Sequence, residues 1–275
     1  MWVIHRHSSE RMPEVTDGSV QLVVTSPPYN VGMEYDCYMD EKGRDEYYGM
    51  LERVWKECWR VLMKGGRLAV NVADVGRQPT HSIYWELMRQ LTEIGFLYYG
   101  TVIWDKGFRA GRTSWGSWLS PRSPSLIDQH EYVPIFVKES FNLQVEGGEA
   151  DITKEEFITY TGSVWYVQPE TDVRVRAVHP APFPIEIPLR LIKLFTYKGG
   201  LVLDPFAGSG TTLVAAKLAG RHAVGYEISE EYARFAERRL SATPSAALSL
   251  DRFMPTNGKL DAYTPPPASC ELPHP

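Results

Sequence analysis

The chain is poor in cysteine, with only Cys37, Cys58 and Cys270 in 275 residues. The three are scattered. They have neither the paired spacing of a thiolate metal site nor the density of a disulfide framework, so both are excluded and a reducing compartment is expected. No apolar run is long enough to cross a bilayer, and Met1-Trp2-Val3-Ile4-His5-Arg6 lacks the apolar centre of a signal peptide. The expectation is a soluble, cytoplasmic protein with no membrane partner. Positive charge is not in excess either. Twenty-nine Lys and Arg against 34 Asp and Glu give a formal charge of −5, which argues against a surface that grips nucleic acid all round but permits a local basic groove. No internal repeat is apparent.

What is present is a core. Apolar residues make up 43% of the chain, and the length suits one large α/β domain or a domain with a small insert. Val20 to Thr25 reads as a buried strand stopped by Ser26-Pro27-Pro28-Tyr29, because proline has no N–H for a ladder. Residues 44 to 63 carry Tyr47, Leu51, Val54, Cys58 and Val61 at helical spacing, with Gly65-Gly66 as the stop. A strand over Arg67 to Ala73, a helix over 81 to 94 and a strand over Leu97 to Trp104 follow. Such alternation predicts a doubly wound, mostly parallel sheet. Residues 105 to 130 and 139 to 178 lose the period, apart from a strand over Glu131 to Lys138. Trp115, Trp118, Tyr160, Trp165 and Tyr166 nevertheless argue for order there. Regular pattern resumes near Pro184. A helix through Leu189, Ile192 and Phe195 leads to a strand over Leu201 to Asp204, a helix over Thr211 to Ala219, a strand over Ala223 to Tyr226 and a helix over Glu230 to Leu240. Residues 241 to 275 are rich in Pro, Ser, Ala and Thr and read as a disordered tail.

Gly208 and Gly210 lie between a strand and a helix, where a ligand can approach the backbone and free N–H groups. Glu227 ends the next strand, about 20 residues on, a spacing that suits ribose hydroxyls. The same features fit a tight turn in any α/β protein. A kinase-type phosphate loop is excluded, because Thr211-Thr212 follows Gly210. A dinucleotide fold usually has three spaced glycines, and this loop has two. Asp204 would repel a phosphate but can accept from an ammonium group. S-adenosylmethionine offers ribose hydroxyls, an ammonium and a sulfonium, and no phosphate.

Thr25-Ser26-Pro27-Pro28-Tyr29, together with Asp204-Pro205-Phe206-Ala207-Gly208-Ser209-Gly210-Thr211-Thr212, resembles the amino-methyltransferases of DNA. The catalytic corner comes first and the cofactor loop near the end, as in the permuted beta group of that family. His179-Pro180-Ala181-Pro182-Phe183-Pro184 matches the run that commonly precedes the cofactor loop there. The resemblance covers residues 1 to about 240. It implies a Rossmann-like S-adenosylmethionine-dependent methyltransferase domain over 1–240, with a target-recognition insert at about 105–178. It implies catalytic roles for Ser26, Pro27, Pro28 and Tyr29. Cofactor contacts are expected at Asp204, Phe206, Gly208, Ser209, Gly210, Thr211 and Glu227. No metal is implied. The three cysteines follow Asp36, Glu57 and Ser269 rather than a proline, which disfavours the ring-carbon methyltransferases.

Further positions follow from the resemblance. Asp74, with Asn71, either flanks the cofactor or caps a strand end. Trp104 either backs the target base or belongs to the core. His179 reads as a loop histidine more readily than as a phosphate ligand. Family members often place Gly-Asp near the N-terminus against the cofactor's adenine; here the stretch is Arg6-His7-Ser8-Ser9, and Ser8 offers an uncharged acceptor. Lys106, Arg109, Arg112 and Arg122 lie in the insert, interleaved with Trp115 and Trp118, as a face for double-stranded DNA or as a solvated loop. The acidic run Glu146, Glu149, Asp151, Glu155 and Glu156 is expected to face away from DNA. In this family a serine opening the corner is associated with cytosine N4 and an aspartate with adenine N6, so methylation of cytosine N4 is the expectation. Adenine N6, RNA, a small molecule, or a non-catalytic DNA-binding protein are the alternatives. A paired restriction endonuclease is compatible with all the DNA readings.

Overall fold

The structure is a computed structural model that describes residues 1–30, 32, 42–75, 80–107, 116–126, 128–179 and 182–244. Its elements, in chain order, are β1 (Trp2–His5), β2 (Val20–Thr25), α1 (Arg44–Val61), β3 (Leu62–Val70), α2 (Ile83–Ile94), β4 (Leu97–Asp105) and β5 (His130–Val137). They continue with α3 (Lys154–Tyr160), β6 (Val164–Tyr166), α4 (Val173–Val178), α5 (Glu186–Phe195), β7 (Leu201–Asp204), α6 (Thr211–Leu218), β8 (His222–Tyr226) and α7 (Glu230–Ala242). The strands form one sheet in the order β1-β8-β7-β2-β3-β5-β4-β6. Strand β5 is antiparallel to both neighbours, and all other pairings are parallel.

Alternate side chains along each strand serve two cores. Val23, Leu68, Val70, Leu203 and Val224 pack with Leu51, Val54 and Trp55 of α1 and Leu87 and Leu91 of α2. Leu22, Val24, Ala69, Val202 and Ala223 face Ile187 and Leu191 of α5 and Leu213 of α6 on the other side. This is the period-two burial of a sheet covered on both faces. The α1 and α6 crossovers leave β2 and β7 on opposite faces and in opposite directions. The β2/β7 boundary is therefore the topological switch point, where open α/β sheets bind ligands beyond the carboxyl ends of their strands.

The predicted strands and long helices are present, with β7 at its predicted bounds. Strand β3 begins at Leu62, earlier than predicted, with its pairing to β2 shifted between Val20 and Leu22. Gly65 lies in that irregular start at φ +78°, and a Cβ there would stand 2.0 Å from the carbonyl oxygen of Asn142. The 105–178 stretch contains two sheet strands, β5 and β6, so much of it is part of the framework. Tyr160 and Trp165 are buried, whereas Trp118 and Tyr166 are exposed. Trp115, Arg109, Arg112 and the tail beyond residue 244 lie outside the described residues.

The acidic run is more than a solvated face. Asp151 pairs through both carboxylate oxygens with the buried guanidinium of Arg221, at 2.7 Å each. Lys193 is also buried, with Asp151 and Glu156 at 3.5 and 3.6 Å. Glu156 further closes a capping box with Thr153 at the start of α3. These contacts dock residues 149–156 beside the amino end of β8, at the opposite end of that strand from the switch point.

Candidate active site

A cavity of about 600 Å³ opens at the switch point. Its lining follows the carboxyl ends of the parallel strands: His7 and Ser8 after β1, Ser26 to Tyr29 after β2, and Asn71 after β3. Lys106 after β4, Phe206 and Gly208 after β7, and Glu227 after β8 complete the pattern. Because β5 runs antiparallel, its first residues reach the same edge, and Glu131 joins the lining.

One half is the Ser-Pro-Pro-Tyr corner. The Tyr47 hydroxyl donates to the Pro28 carbonyl at 2.7 Å and fixes the turn on α1. The Tyr29 hydroxyl lies 3.3 Å from Ser26 Oγ and 3.2 Å from Glu131 Oε2. Burial, then the Glu131 carboxylate, pushes the Tyr29 phenol well above its ordinary pKa, so it stays a neutral donor. Asn71 is buried beside them, its amide N–H held by the Thr25 carbonyl at 2.8 Å. Trp104 is also buried, donates Nε1–H to the Val167 carbonyl at 2.7 Å and lines the cavity, so it is a core residue and a wall at once. Lys106 turns inward, pairing with Glu131 and standing 4.8 Å over the Trp104 ring. It is therefore a cavity residue rather than part of an outer cationic face. Arg122 is exposed and outside the lining.

The other half is the glycine loop. Glu227 accepts from the Gly208 amide and, through its other oxygen, from the Ser229 amide, each at 2.8 Å. Gly208 has φ +49°, and a Cβ there would meet His179 Nε2 at 2.7 Å. The loop thus closes onto the imidazole without room for a side chain. Burial, then Arg239, lowers the His179 pKa to about 4, so this histidine is neutral at physiological pH. Ser209 and Thr211 turn away from the lining toward α7. Arg239 Nη1 donates to the Ser209 carbonyl at 2.6 Å and to Thr211 Oγ1 at 3.1 Å. Gly210, at φ +78°, starts α6 and packs against Ala236. Ser8 lines the cavity while its hydroxyl donates to Glu10 at 3.1 Å. Asp74 lies outside the lining and accepts from Ser82 Oγ at 2.8 Å at the start of α2.

Asp204 sits beneath the loop. Its Oδ1 accepts from Thr25 Oγ1 at 2.7 Å and from the Phe206 amide at 3.1 Å, tying the two halves together. Its Oδ2 is buried and lacks a well-aligned hydrogen bond, with the Thr212 hydroxyl as the neighbouring donor. Burial pushes its pKa up to about 6, against those hydrogen bonds. The folded state then holds this proton more tightly than the unfolded chain. Stability from this group is greatest below about pH 4 and is lost as the pH rises through about 6, by up to about 3 kcal/mol. Asp204→Asn should therefore flatten the decline of the urea midpoint between pH 4 and 7 in the ligand-free protein. Equal slopes in parent and variant would contradict the assignment.

This donor set suits a cationic ligand without phosphate. Glu227 keeps acceptor capacity for ribose hydroxyls, a buried carboxylate lies under the loop, and the neighbouring His179 is uncharged. Glu131 and Arg239 carry no local motif, because each finds its partners only in the folded chain.

Residues 20–238 match the family model N6_N4_Mtase, described as DNA methylase. The type II methyltransferase M.MthZI of Methanothermobacter thermautotrophicus is 31% identical over 87% of this chain and 76% of its own length. The DNA adenine methyltransferase YhdJ of Escherichia coli K12 is 27% identical over 86% of this chain and 82% of its own. Among solved structures, TTHA0409 of Thermus thermophilus in complex with S-adenosyl-L-methionine superposes with a TM-score of 0.67 at 28% identity, covering 88% of this chain and 95% of that one. The cytosine-N4-specific PvuII DNA methyltransferase shares the fold, with a TM-score of 0.67 at 22% identity over 91% and 89% of the two chains. The chain belongs to the N6/N4 family of DNA methylases, enzymes that draw their methyl group from S-adenosylmethionine.

Proposed function

We propose that this chain methylates the exocyclic N4 amino group of cytosine at a specific site in double-stranded DNA. The observation that carries the reading is one cavity, in which Ser26 and Tyr29 face a loop closed by Gly208 and Glu227. Serine, rather than aspartate, opens the corner. An aspartate would add an anionic acceptor beside the target amino group; Ser26 supplies a neutral one.

S-adenosylmethionine, when bound, supplies a methyl group carried on a sulfonium. The chain's residues do the rest. An exocyclic amino nitrogen is a weak nucleophile, because its lone pair is delocalised into the ring. Ser26 Oγ and the Pro27 carbonyl are placed to accept its N–H bonds and draw the lone pair back onto nitrogen. The fixed φ of the two prolines holds this corner rigid. Tyr29 offers its ring face to a base turned out of the duplex, which lowers the cost of flipping. Alignment of the amino group with the methyl donor provides much of the remaining acceleration. Residues 106–129, between β4 and β5, are the candidate recognition segment, and Arg109, Arg112 and Arg122 its candidate phosphate ligands.

Adenine N6 is the second reading, favoured by the similarity to YhdJ. The purified chain, incubated with unmodified plasmid DNA and S-adenosylmethionine and then analysed as nucleosides by mass spectrometry, should yield N4-methylcytosine. N6-methyladenine in its place would move the assignment to the second reading. Glu227→Ala should weaken S-adenosylmethionine binding by about 1.5–3 kcal/mol, the range for hydrogen bonds to a charged group. Calorimetric titration measures this directly, and an unchanged affinity would remove Glu227 from the cofactor site.

A further inference from the structure

Glu131 opens β5, and its carboxylate is the meeting point of side chains from three other strand ends. Its Oε2 accepts from Asn71 Nδ2 at 2.5 Å and from the Tyr29 hydroxyl at 3.2 Å. Its Oε1 pairs with the Lys106 ammonium. The backbone builds this juxtaposition. Val72 and Tyr132 exchange amide-to-carbonyl hydrogen bonds of 2.9 and 2.8 Å, which sets Asn71 beside Glu131. The Lys106 amide donates to the Gln129 carbonyl at 2.8 Å, which brings the lysine to the same place.

The two ends of a buried side-chain amide have the same shape, so hydrogen-bond partners decide which way it points. A carboxylate can only accept. Glu131 therefore holds the NH₂ end of Asn71, where the Tyr29 hydroxyl and Ser26 Oγ also lie, at 3.2 and 3.4 Å. The carbonyl end must then face away from Glu131. That oxygen, Oδ1, is buried with no partner, and Asn71 lines the cavity. A buried acceptor without a donor is costly. Glu131 holds the amide in this orientation against that cost.

Building on the methyl-transfer reading, we propose that Glu131 is a positioning residue for the reaction. It anchors Tyr29, Asn71 and Lys106 on one carboxylate and so keeps the NH₂ end of Asn71 turned toward Ser26 Oγ and the Tyr29 hydroxyl, fixing both groups against the target amino group. Lys106, braced over Trp104, holds the second oxygen and stops the carboxylate from swinging toward the base.

The test is single-turnover methyl transfer from tritiated S-adenosylmethionine to unmodified plasmid DNA by Glu131→Gln, Asn71→Asp and the double exchange. Glutamine can offer its own NH₂ to Asn71 and let that amide turn over. Glu131→Gln should therefore lose about tenfold or more in rate, the scale of one misplaced hydrogen-bonding group, with S-adenosylmethionine affinity and melting temperature near the parent's. Asn71→Asp sets two carboxylates against each other and should lose rate likewise. Adding Glu131→Gln to it restores an amide facing a carboxylate, with the polarity reversed. The double variant should then be about tenfold faster than Asn71→Asp alone. A parental rate in Glu131→Gln would overturn the inference, as would parallel losses of rate, cofactor affinity and melting temperature. If Glu131→Gln does not fold, a double variant no faster than Asn71→Asp overturns it as well. A parent chain that transfers no methyl group to DNA sinks the methyl-transfer reading and this inference with it. An active parent with an unaffected Glu131→Gln sinks this inference alone.

Discussion

Tyr29→Ala is expected to slow single-turnover methyl transfer by about 100-fold or more while leaving S-adenosylmethionine affinity nearly intact. Two losses combine. Removing the ring deletes a stacking surface worth about 1–3 kcal/mol per base. Removing the hydroxyl deletes a neutral donor that lies between Ser26, the Asn71 main-chain carbonyl and Glu131. Neither loss touches Glu227 or Gly208, so the cofactor half should bind as before. Tyr29→Phe keeps the ring and should lose about tenfold or less, because a hydrogen-bonded hydroxyl contributes about 1 kcal/mol. Rapid-quench transfer and calorimetric titration on the same preparations separate the two halves. Equal rates in parent and Tyr29→Ala would remove the corner from the reaction. A parallel fall in cofactor affinity would mean that Tyr29 braces the whole cavity.

Arg221→Ala should lower the free energy of unfolding by about 3–5 kcal/mol, the cost of breaking a buried ion pair by removing one partner. The guanidinium is fully buried and satisfied on all sides. It meets both oxygens of Asp151, the Thr196 carbonyl at 2.8 Å, Thr196 Oγ1 at 3.0 Å and the Ala219 carbonyl at 2.5 Å. Its loss leaves Asp151 with Lys193 alone and loosens the 149–156 segment. The network adjoins the first residue of β8 and Glu227 follows its last, roughly 16 Å away along an extended strand. The folded variant should therefore bind S-adenosylmethionine normally at low temperature. Urea unfolding checks the stability. A loss under about 1 kcal/mol would mean that water or a neighbouring group replaces the pair.

The two halves of the site were legible in the sequence because each is written in local backbone chemistry. Two prolines after a β-branched strand can only be a strand end, and glycines between strand and helix mark a close turn. The strand–helix alternation likewise predicts a parallel sheet. What escaped is non-local. Glu131 is 60 residues from Asn71 and 102 from Tyr29, and it reaches them only because β5 runs antiparallel, a direction that an apolar run does not encode. Asp151 reads as one acid in an acidic run, yet its partner lies 70 residues on. The short strands β1 and β6 have too few residues to show a period. Ser209 and Thr211 show the limit of motif reading: the run is present, but these two side chains serve Arg239 and the loop's own shape.

Modified-base sequencing of DNA from cells expressing the chain, beside cells expressing Tyr29→Ala, reports directly on methyl transfer to cytosine N4. N4-methylcytosine should be confined to one short recurring sequence in the first sample and be lost in the second. No modified amino group in either sample, or the same pattern in both, would contradict the methyl-transfer reading.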